Sequence, residues 1–490
     1  MADFGFVGAS YEAPSIYQDA QECINFYPEI DPTKQPGERG IVALYPTPGL
    51  VEELQLTGGP VRGMRALSGF QYAIVVVGNL VYRIDTSFNA IQVGILLTNS
   101  GPVKITDNVM TSEGLTAYIV DGPHRYYYEI LSNKFVTLTI ADGGWEGATA
   151  CDTVDDYIAY NQPDSQNWAV TDLGSPLSTT FLFGSKNSSP DNIVTIIADH
   201  RQIYLLGEVT TEVWVNTGGV PGSNILTFPF QRISGTASQN GCAAPFSVAR
   251  FAESFMFVSR DTLGTATIGK MTGYEYQRLS THAVENSLVG ADISDAIAFS
   301  YQIEGHEFYV VTFPQLELTW VYDLTTQQWH KWLSWDAPTA TYKRHRSNCA
   351  MFFANKNLVG DYQNGKIYRL DQNVYTDAGN MIRRLRRAPH ITTDLQRQYF
   401  EEFQIQFQPG VGLNLGQGQD PQAMLRWSND GGSTWSNEHW VSIGRIGNYT
   451  NRAIWRRLGW SRDRIFEVAV SDPVKAVVIS ANLKASVGDN

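Results

Sequence analysis

The turn Gly78-Asn79 opens into Leu80-Val81-Tyr82-Arg83-Ile84-Asp85, and far downstream Asn364-Gly365 opens into Lys366-Ile367-Tyr368-Arg369-Leu370-Asp371. Val321-Tyr322-Asp323-Leu324, just before Gln327-Gln328-Trp329, is a partial third copy. In each, aliphatic residues alternate with Tyr or Arg, the period of two of a strand half-buried in a sheet. The two full copies are each entered from a turn whose glycine tolerates a positive φ. Between them the chain repeats one theme, a short β run, a turn and another β run. Turn marks fall at Asp121-Gly122, Asp142-Gly143-Gly144, Thr217-Gly218-Gly219, Asn240-Gly241 and Thr272-Gly273. Degenerate strand repeats without long helices fit an irregular β-propeller, whose stacked blades hide one another's faces and leave only short edges. At about 40–50 residues per blade, residues 51–375 hold roughly six to seven blades, or about five with insertions. A pair of sandwiches is the competing architecture. One short helix is expected over Thr281 to Val289, ended by Gly290.

The flanks have a different texture. Residues 1–50 carry Pro14, Pro28, Pro32, Pro36, Pro46 and Pro48 with no sustained period, which predicts an extended arm. Its apolar content (Ile24, Phe26, Tyr27, Leu44, Tyr45) predicts docking on the C-terminal domain or a neighbouring subunit. Past residue 376, Phe400 to Phe407 alternates strictly. With Met424 to Trp427, Trp440 to Ile443, Ile465 to Val470 and Val474 to Ile479, it predicts a β-sandwich over 376–490, a platform or assembly domain. The whole chain is therefore expected to be all-β. Composition agrees, since 12% of the 490 residues are aromatic and only 17% charged, against about 25% charged in typical soluble domains.

The net charge of −13 argues against a protein that grips nucleic acid through a dominant basic surface. Thr376 onward holds 14 Lys/Arg and 11 Asp/Glu, a net of +3, leaving −16 for residues 1–375. Cys23, Cys151, Cys242 and Cys349 are scattered without a C-x-x-C pair and are expected to be reduced, buried thiols. The first residues lack the basic segment and apolar core of a secretion signal. The longest apolar run, Tyr72 to Val77, is far short of the ~20 residues that span a bilayer, so no membrane anchor is expected.

Catalytic motifs fail on inspection. Gly264 to Lys270 satisfies G-x-x-x-x-G-K, but Met271 stands where a Ser or Thr should hold Mg²⁺, and a strand follows where a helix is required. It reads as a hairpin. Asp155 and Asp156 are adjacent, so in a strand they would point to opposite faces and could not flank one glycosidic bond. The eight histidines form no ligand pattern; His306 and His330 sit in strand-like contexts, and His282 suits capping or packing. There is no G-x-S-x-G elbow. Ser428-Asn429-Asp430-Gly431-Gly432-Ser433-Thr434-Trp435 matches the Asp-box of sialidases and related propellers. In that motif Ser428, Asp430, Gly432, Thr434 and Trp435 would build a turn, not a reaction centre. Arg383, Arg384, Arg386 and Arg387, then Arg452, Arg456 and Arg457, form a basic concentration interleaved with Trp455 and Trp460. Trp and Arg collect at interface centres, so these nine residues are candidates for an assembly interface. Neither a catalytic residue nor a metal or cofactor is expected.

Several stretches resemble the packaged-DNA stabilisation, or tail nozzle (tail hub), proteins of short-tailed bacteriophages. They are Cys23-Ile24-Asn25-Phe26-Tyr27-Pro28, Pro46-Thr47-Pro48-Gly49-Leu50, Gln239 to Asp261, Arg278 to Glu285, Ile454 to Gly459 and Ile465 to Ile479. The resemblance implies a structural virion protein of the tail, assembled in the bacterial host cytoplasm. It implies a ring of copies, a hexamer, below the portal–adaptor connector. That ring would extend the DNA channel, retain the packaged genome and dock a tail fibre or tailspike protein. Double-stranded DNA would pass without sequence-specific binding, and an acidic lining would repel its phosphates. The −16 of residues 1–375 is expected to face that channel, with the basic C-terminal region packed in the ring or on the adaptor. The alternative, resting on the Asp-box and the aromatics, is a carbohydrate-binding or sialidase-like propeller protein.

Overall fold

A computed structural model describes residues 2–3, 5–34, 41–110, 114–218, 227–261, 264 and 266–488. Among these residues, seven antiparallel blades surround one axis, each four strands deep, with the inner edge of the fifth shared by two short strands, Asn240–Cys242 and Ala249–Phe251. Their innermost strands are Val61–Ala66, Lys104–Met110, Cys151–Val154, Ile193–Asp199, Ala249–Phe251, Ile297–Ile303 and Ser347–Phe353. Leu80–Asp85, Leu318–Asp323 and Lys366–Asp371 are each the third strand of a blade, the first, sixth and seventh. The repeated motif therefore marks one recurring position. Leu80–Asp85 and Lys366–Asp371 even share a burial pattern, with Val81, Tyr82 and Ile84 inside in one and Ile367, Tyr368 and Leu370 in the other.

The turns that enter these strands differ from the sequence reading in one respect. Gly78 has φ 55, and a Cβ there would lie 2.0 Å from the Gly58 carbonyl oxygen. Gly365 is not left-handed; its place is dictated by crowding, since a Cβ would lie 2.1 Å from the Leu56 oxygen. Asn240-Gly241 is not a turn at all but part of strand Asn240–Cys242. Asp155-Asp156 is not strand but the turn between Cys151–Val154 and Tyr157–Asn161, with φ 45 and 63. His200-Arg201, Ala252-Glu253 and Ala354-Asn355 make the same left-handed pair between the first two strands of their blades. The right-handed twist of the flanking strands selects this turn, and non-glycine residues pay for it in local strain. The helix is shorter than expected, His282–Asn286, with the Thr281 hydroxyl accepting from the Val284 N–H. Of the phosphate-loop look-alike, Thr265 lies outside the described residues, and the rest runs into strand Ala266–Thr272.

Residues from the first fifty enter both parts of the molecule. Gly49–Gln55 pairs antiparallel with Lys366–Asp371 as the outer strand of the seventh blade, closing the ring. Ala20–Ile24 lies between the sixth blade and the sandwich, pairing Ile24 with Lys331 and Cys23 with Arg386. One 11-stranded sheet thus runs from Ile297–Ile303 through this strand to Arg384–Arg387, Asp463–Val470, Gln422–Ser428 and His439–Ser442. Phe26–Ile30 and Val42–Pro46 form a hairpin that joins the facing 7-stranded sheet with Val478–Val487, Gln398–Phe407 and Ala453–Arg456. Phe6, Phe26 and Leu44 are buried in the sandwich core with Phe400, Phe403 and Phe466.

Three histidines lie near the arm and the last two blades. His345 is fully buried and stacked 3.7 Å from Trp332, and His330 is buried against Phe308 and Tyr27. Burial holds them neutral, down to about 3 for His345 and about 4 for His330. The unfolded chain therefore binds protons here that the native chain does not, and this stability, present above about pH 6.5, is lost as pH falls. Asp377 opposes them, because burial raises its carboxyl to about 7, so its contribution is lost as pH rises from about 4 to 7. His306, raised by its bonds to Asp323 and Glu29, keeps its full contribution below about pH 6.5 and loses it as pH rises through its raised titration. Between about pH 6.5 and 4 the net is roughly one proton, about 1.4 kcal/mol of stability per pH unit. Urea midpoints measured across that interval should fall on acidification, and His345→Phe should flatten the fall; an unchanged slope would remove His345 from the account.

Candidate assembly surface

The structure divides the nine basic and aromatic candidates. Arg384 and Arg386 are inside the protein, 0% and 1% exposed. Arg384 donates to the backbone carbonyls of Tyr375 and Asp472, and burial lowers its guanidinium to about 10. Arg386 reaches into the arm, donating from Nε to the Phe6 oxygen at 2.5 Å, from Nη1 to Ala9 at 2.7 Å and from Nη2 to Gln21 Oε1 at 2.6 Å. Arg383 pairs with Glu438 at 2.7 Å and lies over the Trp335 ring. Trp455 is buried, stacked on Phe403, its indole N–H given to the His439 carbonyl. These residues hold the chain to itself and have little surface to offer a partner. Arg384 and Arg386 are inside because their strand, Arg384–Arg387, is central in its sheet, flanked by Ala20–Ile24 and Asp463–Val470.

Arg387 belongs to a charge network at the seam. Its guanidinium lies 3.0 Å from Glu22 and 2.9 Å from Glu467, and Arg426 bonds the other Glu467 oxygen. Lys331, from the sixth blade, sits 2.7 Å from both Glu12 and Glu22. Three cations meet three carboxylates, one pair of which comes from the arm. These neighbours outweigh desolvation, so Glu22 stays below the usual carboxylate range and Lys331 above the usual amine range. The Asp-box closes one side of this network. Ser428 Oγ accepts from the Gly432 N–H at 2.8 Å, and Asp430 accepts from the Thr434 N–H at 2.9 Å and hydroxyl at 2.6 Å. These bonds, all favouring the carboxylate, hold Asp430 at about 2. Trp435 then receives Arg387 on its ring at 5.0 Å and Arg426 at 4.7 Å. The motif orders a turn and a cation–π contact, and its carboxylate is fully engaged.

The outer group comprises Arg452, Arg456, Arg457 and Trp460, all exposed. Arg456 pairs with Glu402 at 2.9 Å. Trp460 is 50% exposed beside Tyr399, its partner across the sheet, and Arg397 lies 4.4 Å over its ring. Leu395 and Val487 are exposed too, 64% and 52%, and Gln398 in the same strand pairs with Val487. Sequence reasoning missed Asn25, Lys331, Glu12 and Glu22, whose meeting depends on pairings across more than three hundred positions. Among the described residues no group of three or more His, Cys, Asp and Glu side chains is placed to hold a metal ion, and no helix is long and apolar enough to cross a membrane.

Comparison with known families gives two matches that divide the chain between them. Residues 19–375 match the family described as Bacteriophage P22 Gp10, beta-propeller, and residues 383–486 match Bacteriophage P22 Gp10, beta-sandwich. No curated protein matches the chain.

Proposed function

The chain belongs to the bacteriophage P22 Gp10 family of phage stabilisation and tail proteins, and from that membership we propose a non-catalytic tail nozzle. Six copies form a ring below the portal–adaptor connector of a short-tailed phage, extend its DNA channel and retain the genome until ejection. The ring also docks a fibre or tailspike protein. One observation carries the reading. The guanidiniums of the most basic stretch, Arg383 to Arg387, are spent inside the chain, so a chain of net charge −13 keeps an acidic exterior. One rim of the propeller presents Asp156, Glu253 and Glu304, with Arg201 among them. A duplex carries a charge about every 1.7 Å, and each phosphate neutralised by the wall would add to its grip. An acidic wall repels that charge and leaves the conduit slippery. The exposed group Arg452, Arg456, Arg457 and Trp460 is the contact to a neighbouring copy or to the adaptor.

Two measurements test this. Purified chain mixed with duplex DNA at about 0.01 M salt, where screening reaches only beyond about 30 Å, should not associate. Tight, salt-sensitive binding would overturn the slippery lining. Trp460→Ala combined with Arg457→Glu should leave the unfolding transition unchanged within about 0.5 kcal/mol, as surface changes do, yet abolish assembly on the connector seen by electron microscopy. Wild-type-like rings from that variant would move the contact elsewhere.

A further inference from the structure

The propeller axis holds a cavity of about 260 Å³, and its wall is cationic in an otherwise acidic chain. All seven innermost strands or their approaches line it, and their charged members are Arg62, Arg65, Lys104, Arg250 and a single carboxylate, Asp152. The hydrogen-bond accounts of these groups are unequal. Arg62 is spent, with Nε, Nη1 and Nη2 all given to Gly78, Thr98, Ser100 and Gly101. Asp152 is also engaged, accepting from the Ala198 and Thr153 N–H groups and from Arg250 at 3.1 Å. Arg65 gives only Nε, to Asp107 at 2.7 Å, and Arg250 gives one Nη to Asp152, with Asp199 4.0 Å away.

Lys104 has no hydrogen-bond or ion-pair partner among the described residues. Its ammonium feels attraction from Asp152 and repulsion from Arg65 and Arg250, so the three cations share one small volume. Burial pulls the amine below its usual range, the response of a cation lacking a counter-ion. What remains on the wall is a set of N–H donors from three side chains, two of them, Arg65 and Arg250, partly open to solvent. A ligand that only accepts, carries negative charge and presents several oxygens at short range satisfies those donors.

We propose that the axial cavity of the propeller is a binding site for a small oxyanion of the phosphate class, held by Lys104, Arg65 and Arg250. The cavity is below the roughly 300–1,000 Å³ of ordinary ligand pockets, which favours an ion over a cofactor. It also excludes a duplex, whose major groove alone is about 12 Å wide, so the genome does not reach these cations. The bound anion ties the first, second and fifth blades together from inside.

The probe is inorganic phosphate added to the full chain, against chloride at matched ionic strength. Phosphate should raise the thermal midpoint in a saturable way and give a binding isotherm by calorimetry. Lys104→Met should weaken that binding at least tenfold, whereas Lys366→Met, which removes an outer cation paired with Glu52, should leave it unchanged. A dinucleotide phosphodiester distinguishes a free ion from a nucleic-acid end: phosphate binding without diester binding assigns the free ion. An isotherm identical in wild type and Lys104→Met, or none in wild type, overturns the site. Should Lys104→Met fail to fold, a structure of the wild-type chain in phosphate decides, and an axis without anion density refutes the proposal.

Discussion

Replacing Arg386 by Met should cost about 3–5 kcal/mol of stability and release the first twenty residues to protease, with the blades still folded. The side chain is 1% exposed, and among the described residues its hydrogen bonds go to carbonyls and one amide, not to a carboxylate. Its charge is compensated by the carbonyls of Phe6, Ala9 and Glu22 and by Gln21 Oε1. Burial lowers the guanidinium to about 10, still protonated at any pH the protein meets. Methionine fills much of the volume and removes the charge, so no buried ion is stranded. Three carbonyls lose one of their donors where water enters poorly, and such a loss costs up to about 1–3 kcal/mol each. Arg386→Lys keeps the charge but has one nitrogen to reach four acceptors, and should recover under half of the loss. Urea midpoints and the position of the first tryptic cut measure both effects. A Met variant within about 1 kcal/mol of wild type, with an intact arm, would show that the arm is held by its apolar contacts alone.

Asn25→Ala should be comparably severe, about 3–5 kcal/mol, and its damage should fall on the union of propeller and sandwich. Asn25 is fully buried with φ 58 between two arm strands. Its Nδ2 donates to the Leu333 oxygen at 2.8 Å and to the Arg383 oxygen at 2.9 Å, and its Oδ1 accepts from the Leu333 N–H at 2.8 Å. One amide thereby joins the segment leaving the sixth blade, at Leu333, to the residue that leads into the sandwich strand Arg384–Arg387. Alanine strands three buried backbone groups and, like asparagine, keeps a Cβ in the left-handed region, a cost of about 1–2 kcal/mol that only glycine relieves. Asn25→Gly should be milder by about that last amount, isolating the backbone share. Asn25→Asp should be no better than alanine, because it presents two carbonyls with an acceptor. Calorimetry of the three variants gives the order; equal losses for Ala and Gly would mean that φ costs nothing here.

Much of the architecture was legible in the sequence because it rests on local rules. Leu80–Asp85 and Lys366–Asp371 announce themselves by a period of two, and equal positions in equal blades share one burial pattern, with both faces of each strand packed against neighbouring blades. Phe400 to Phe407 reads as a strand for the same reason, and Thr281 marks a helix start by its own hydroxyl. The arm was opaque. Its strands are two to seven residues long, and most of their placement comes from partners far along the chain, such as Arg386, Lys331, Val478 and Lys366–Asp371, so no internal period records the pairing. Turns of the Ala252-Glu253 and Ala354-Asn355 kind were missed as well, since strand twist imposes a left-handed pair on residues that do not prefer it.

The arginine run illustrates the remaining division. Residue type marked Arg383 to Arg387 as exceptional, but not whether their partners lay outside the chain or within it. A guanidinium offers the same five donors to a neighbouring subunit and to its own arm. Composition and alternation thus determined an all-β chain with two textures, because a strand's period and a turn's chemistry act over a few residues. Only the tertiary structure decided that strands of the N-terminal arm seam the two parts together, that most of the conspicuous arginines point inward, and that Lys104 stands on the axis without a side-chain partner among the described residues. Each of these depends on which distant segments are brought together, because hydrogen bonds need donor and acceptor within about 3 Å and no local sequence rule records such meetings.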